Sequence, residues 1–132
     1  MEKLEHIGIA VKNMDQTNTI FAALLGQSHY KIEMVESEGV RTSFFDVGGI
    51  KIELLEAVND DSPIARFIDK RGEGIHHLAF SVSDISQSIQ LYKEKGFEII
   101  NEVPKKGADN KLICFLHPKS TAGVLIELCQ DI

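Results

Sequence analysis

Apolar and polar positions alternate and then run apolar over residues 3–11, as in a half-buried strand. Asn13 is placed to cap a helix whose apolar positions are Met14, Thr17, Phe21, Leu24 and Leu25, and Gly26 ends it. Tyr30 to Val35 alternates again, Ser37-Glu38-Gly39 turns the chain, and Val40 to Val47 predicts a further strand. Gly48-Gly49 turns it once more before the strand Ile50 to Leu55. Ser62-Pro63 opens a short helix with an Ile64, Phe67 and Ile68 stripe, closed by Lys70-Arg71-Gly72. The same order then returns. Gly74 to Val82 reads as a strand, and Asp84 caps a helix with Ile85, Ile89 and Tyr92 on one face and Gly96 at its end. Phe97 to Val103 reads as a strand, Pro104 to Asn110 as a loop, Lys111 to Leu116 as a strand, His117 to Ala122 as a loop and Gly123 to Leu128 as the last strand.

The return is a repeat in sequence as well as in pattern. His6 meets His77 at an offset of 71 (77 less 6), and the caps Asn13 and Asp84 keep that offset. Gly49 to Leu54 meets Gly123 to Leu128 at 74 (127 less 53), so the second half carries three extra residues, most simply in its loops. The prediction is an α+β fold of two tandem βαβββ modules packed about a pseudo-twofold axis. Residues 1–132 then form one domain: module one at about 3–57, a linker helix at about 62–72 and module two at about 74–130.

Composition narrows the setting. A chain of 132 residues suits one compact domain or two small halves, and a net charge of -6 argues against a nucleic-acid partner. No apolar run approaches the roughly 18–20 residues of a membrane span, and the N-terminus lacks the pattern of a signal peptide. Cys114 and Cys129 make no disulfide framework; they read as buried free thiols in a reducing, cytoplasmic setting.

Each half offers a histidine at the head of its first strand and a glutamate inside its last. Glu53 lies between Ile52 and Leu54, and Glu127 between Ile126 and Leu128. A carboxylate in an apolar strand is costly unless paired or bound to a cation. Lys51 and Glu53 also fit a solvent-facing edge; the flanks of Glu127 fit it less well. Alternation points His76 and His77 to opposite faces, and the repeat selects His77 as the partner of His6, with His76 outward or in support. Two imidazoles and two carboxylates suit a divalent first-row metal held by His6, Glu53, His77 and Glu127: cobalt, manganese, nickel, zinc or iron.

With these residues in view, the chain resembles the vicinal oxygen chelate (glyoxalase) superfamily, and within it the methylmalonyl-CoA epimerase family. The likeness runs almost end to end. It rests on His6-Ile7-Gly8-Ile9-Ala10-Val11, on Ile52-Glu53-Leu54-Leu55 with Asp61-Ser62-Pro63-Ile64-Ala65, and on Gly74-Ile75-His76-His77. Its most specific part is Phe115-Leu116-His117-Pro118-Lys119-Ser120 leading into Gly123-Val124-Leu125-Ile126-Glu127-Leu128. The resemblance implies a divalent ion, often cobalt, and inversion at carbon 2 of methylmalonyl-CoA through an enolate. It implies His6, His77 and Glu127 as metal ligands, with Glu53 where some members carry glutamine. Some members place another glutamate base on the third strand, where this chain has Thr42; Glu127 remains as proton-transfer group, with Glu53 opposite. Lys119 and Ser120 are candidates to hold the CoA thioester, while Lys105, Lys106 and Lys111 read as a solvated charge run. The resemblance also implies a homodimer, with no nucleic acid and no membrane as partner. A glyoxalase I-like lyase acting on a hemithioacetal through the same four ligands is the alternative. A non-catalytic ligand-binding module is another.

Overall fold

The computed structural model describes residues 2–132. The strands are β1 (Lys3–Ala10), β2 (Lys31–Val35), β3 (Val40–Val47), β4 (Ile50–Ala57), β5 (Gly74–Ser81), β6 (Lys105–Lys106), β7 (Lys111–Leu116) and β8 (Ile126–Asp131). The helices are α1 (Met14–Leu25), α2 (Pro63–Arg71) and α3 (Ile85–Glu94). The fold is α+β. It divides into two compact units, His6–His76 and the residues up to Glu5 together with His77–Ile132.

In the unit His6–His76 the strands run in the order β2-β3-β4-β1. β1 and β4 pair in parallel, with Ile7 facing Ile52 and Gly8 facing Glu53. β3 and β4 form a hairpin in which Val47 faces Ile50. Gly48 and Gly49 both hold positive φ, 63° and 92°, as a two-residue turn matched to the strand twist requires. α1 starts where Asn13 accepts from the Gln16 N–H at 3.0 Å. It lies over Val11, Phe45 and Leu54 with Phe21, Ala22 and Leu25. Its inner face differs from the prediction at two places. Leu24 is 71% exposed, and Asn18 is buried instead, accepting from the Ser43 hydroxyl at 2.6 Å. Burial of that polar pair is compensated by its own hydrogen bond. The opposite sheet face meets α2: Ala10, Val40 and Leu55 pack with Ile64, Phe67 and Ile68. The Ser62 hydroxyl caps α2, accepting from the Ile64 N–H at 3.0 Å.

In the other unit the order is β5-β8-β7-β6. β5 and β8 are parallel, with Leu78 facing Ile126 and Ala79 facing Glu127. These are the pairs Ile7–Ile52 and Gly8–Glu53 of the first unit, displaced by the two offsets read from the sequence. The ladders also locate the three extra residues. Phe44 faces Glu53 and Phe115 faces Glu127, so β3 and β7 keep the smaller offset and the insertion falls between β7 and β8. α3 covers Val82, Cys114 and Leu128 with Ile85, Ile89 and Tyr92. The residues before the unit boundary in β1 join this sheet: Glu2 donates its N–H to the Ser81 carbonyl at 2.8 Å.

Three expectations are corrected in this unit. Phe97 to Val103 is not a strand; it makes a single bridge, Ile99 to Leu116. The Asn101 side chain takes over the pairing beyond it. Its Oδ1 accepts from the Phe115 N–H at 3.0 Å, and its Nδ2 donates to the Ile113 and Val103 carbonyls at 3.3 Å each. A side-chain amide that satisfies these groups locally competes with the strand ladder. The predicted loop 104–110 contains β6, with Lys105 facing Ile113. The last strand begins at Ile126 rather than Gly123, because the Gly123 N–H turns back to the Pro118 carbonyl at 2.8 Å.

Candidate functional site

Parallel pairing sets the register of each histidine against its glutamate. In the unit His6–His76, Gly8 faces Glu53 and His6 lies two residues earlier on the same face. A glycine opposite Glu53 leaves room for the carboxylate to lean along the strand. His6 Nδ1 and Glu53 Oε2 stand 3.1 Å apart. Both residues are 4% exposed, so Glu53 is no surface edge glutamate. Phe44 faces Glu53 from β3 and is fully buried.

The second unit repeats the arrangement. Ala79, again small, faces Glu127, and His77 lies two residues before it. His77 Nε2 and Glu127 Oε1 are 3.4 Å apart, with both residues 5% exposed. The Phe115 ring stands edge-on to the His77 imidazole, centroids 5.9 Å apart at 88°. Phe115 also faces Glu127 across the β7–β8 ladder. Cys114, from the other face of β7, stays a thiol: burial and then the Glu127 charge push its pKa up to about 12. Both cysteines are free and buried.

Each pair offers a buried imidazole nitrogen and a buried carboxylate oxygen. A buried carboxylate is costly unless it is paired or bound to a cation, and an imidazole stands beside each of these two. Nitrogen and oxygen donors of this kind fit a divalent first-row ion.

The other candidates fall in different surroundings. His76 is not outward. It is half-buried, its ring edge-on to Phe67 at 5.0 Å. Burial and then the Arg71 charge lower its pKa to about 4, so it stays neutral. Thr42 is 1% exposed and faces Leu55 on one side and Glu33 on the other. Lys119 is exposed and reaches Glu98 at 3.0 Å. The Ser120 hydroxyl serves its own loop, donating to the His117 carbonyl at 2.9 Å and accepting from the Glu98 N–H at 3.3 Å. Lys105 and Lys106 are exposed. Lys111, expected to be solvated, is only 7% exposed: it pairs with Asp131 and lies 3.9 Å from Glu5, which is itself buried. Alternation along β7 carries Lys111 inward, a consequence of register that a count of charges does not show. Among the described residues no helix is long and apolar enough to cross a membrane.

The fold agrees with that of the relatives of the chain. Residues 5–115 match the Glyoxalase/Bleomycin resistance protein/Dioxygenase superfamily. A hypothetical protein from Bacillus halodurans is 45% identical at a TM-score of 0.96, over 98% of this chain and 94% of that one. The ethylmalonyl-CoA/methylmalonyl-CoA epimerase of Cereibacter sphaeroides is 35% identical over 97% of both chains. A methylmalonyl-CoA epimerase from Streptomyces coelicolor, solved in complex with 2-nitronate-propionyl-CoA, is 33% identical at a TM-score of 0.94, over 99% of this chain and 95% of that one. The chain belongs to the glyoxalase/bleomycin resistance protein/dioxygenase superfamily, within the family of its methylmalonyl-CoA epimerases.

Proposed function

We propose that this protein is a metal-dependent epimerase that interconverts the R and S forms of methylmalonyl-CoA at carbon 2. The observation that carries the reading is the buried His–Glu pair built once in each unit by the same ladder register. The near full-length similarity to the two epimerases supports the substrate. A nitronate is planar and anionic, as carbon 2 becomes on losing its proton, so the ligand of the Streptomyces relative suits the same chemistry.

His6, Glu53, His77 and Glu127 are the ligands of one divalent ion, cobalt being the first choice. When bound, such an ion supplies Lewis-acid stabilisation of charge developing on the thioester oxygen. The residues do the rest. Glu127 takes the proton from carbon 2, and its burial with Phe115 beside His77 keeps bulk water from that proton. Glu53 enters catalysis as the carboxylate held against His6, opposite in role to Glu127. Lys119 and Ser120 lie on the β7–β8 connection and serve the CoA thioester. The protein works as a homodimer in the cytoplasm, a setting in keeping with two buried free thiols.

The test is solvent exchange. Protein loaded with cobalt should introduce deuterium at carbon 2 of methylmalonyl-CoA in heavy water; no exchange sinks the epimerase reading. Turnover of a glutathione hemithioacetal in its place would favour a lyase.

A further inference from the structure

Burial along β1 alternates except at one place. His6, Gly8 and Ala10 are buried, and Ile7 and Ile9 between them are half-buried. Glu5 falls by spacing in the row of Ile7 and Ile9, yet it is more deeply buried than either, at 4% exposed. A carboxylate there is costly without a partner. Lys111, itself 7% exposed, brings its Nζ to 3.9 Å from Glu5 Oε2. Lys111 opens β7 and faces Asp131 at the end of β8, and the two side chains pair. Glu5, Lys111 and Asp131 all belong to the unit that contains His77–Ile132. Backbone bonds hold the same strand ends: the Ile132 N–H donates to the Asn110 carbonyl at 3.2 Å, and the Glu2 N–H to the Ser81 carbonyl at 2.8 Å.

Stability alone does not explain a buried lysine and glutamate. Removing both charges from water offsets much of their attraction, and apolar side chains of similar volume stabilise a fold as well or better. What an ion pair adds is a fixed partner, which sets register. Glu5 is the residue bonded to His6, and His6 Nδ1 stands 3.1 Å from Glu53 Oε2. A carboxylate pinned one residue earlier fixes the rotation of β1 where that imidazole leaves the strand. The repeat has a counterpart. His76, which precedes His77 as Glu5 precedes His6, is anchored as well, its ring edge-on to Phe67 at 5.0 Å.

We propose that Lys111 is a positioning residue for metal binding: through Glu5 it fixes the strand rotation that presents His6 to the ion. The inference rests on the reading of His6 as a ligand given above. Lys111 touches neither the ion nor the substrate in this role. It acts on the geometry of one donor, and donors must be held to about half an ångström of their working positions. Loss of groups that orient a ligand typically weakens metal binding about 10–100-fold.

The test compares two readouts on the full chain: the cobalt dissociation constant by titration, and the melting temperature of the metal-free protein. Lys111→Met leaves Glu5 buried beside an apolar side chain; it should lower the melting temperature and raise the dissociation constant about 10-fold or more. Lys111→Arg keeps the charge and should bind cobalt within a few-fold of wild type. Lys111→Met combined with Glu5→Leu removes both charges and separates the two readouts. Its melting temperature should recover towards wild type while cobalt binding stays weak. Cobalt binding at the wild-type level in Lys111→Met, or its recovery together with the melting temperature in the double variant, would reduce the pair to packing and overturn the proposal. Wild-type protein that binds no cobalt overturns the metal reading itself, a result distinct from failure at Lys111 alone.

Discussion

Glu53 lies opposite Gly8 in the β1–β4 ladder, one two-residue step from His6, and its carboxylate meets the imidazole at 3.1 Å. Glu127 stands in the same relation to Ala79, with His77 at 3.4 Å. Both contacts arise from parallel pairing of the first and last strand of a module. A small residue opposite each glutamate gives the carboxylate room to turn.

The histidine next to His77 provides a control for metal binding. Adding cobalt to about 100 times its dissociation constant should stabilise the wild type by about 2.7 kcal/mol, read as a rise in melting temperature. His77→Ala should abolish that rise. His76→Ala, which removes an edge contact with Phe67, should keep it while lowering the baseline melting temperature. The reverse pattern would mean that the repeat selects the wrong histidine.

Glu127→Gln keeps an oxygen donor but removes the proton acceptor. Some cobalt should remain by elemental analysis, while deuterium exchange at carbon 2 falls about 100-fold or more. Exchange near the wild-type rate would move the base to another residue.

Lys119 and Ser120 separate binding from folding. The Lys119–Glu98 pair is exposed, and such pairs contribute about 0–1 kcal/mol, so Lys119→Ala should barely change the denaturation midpoint. If Lys119 serves the CoA thioester, KM should rise with kcat little changed. Ser120→Ala loses both loop hydrogen bonds and should cost about 1–2 kcal/mol in urea. An unchanged KM in Lys119→Ala would remove it from the site.

Asn101→Ala leaves the Phe115 N–H and the Ile113 and Val103 carbonyls without their amide partner. The expected loss is about 1–3 kcal/mol of stability by denaturant titration. No loss would show that water replaces the amide at that edge.

Cys114 gives a pH signature. Its folded pKa is raised to about 12 from an ordinary value of 9.0, so the unfolded chain releases this proton first. Its contribution to stability is full below pH 9 and declines as pH rises towards 12. Native protein at pH 8 should react with a thiol reagent at Cys114 only after denaturation. Rapid labelling of the native protein would mean that β7 opens easily.

Much of this fold is legible in the chain because its signals are local. Asn13, Ser62 and Asp84 cap helices through side-chain oxygens one turn from their targets. Strand alternation and the repeat of His6 and Glu53 as His77 and Glu127 come from short stretches and fixed offsets, which need no knowledge of neighbours. Tertiary structure decided what depends on partners far along the chain. Asn101 replaces a strand because Ile113 and Phe115 are there to receive its amide. Lys111 is buried because Asp131 and Glu5 meet it. Glu33 shares a sheet face with Val35 and Thr42 because the β2–β3 ladder pairs it with Thr42. Periodicity says that a strand has two faces. The ladder decides which face is turned inward, because the register is set by hydrogen bonds to another segment.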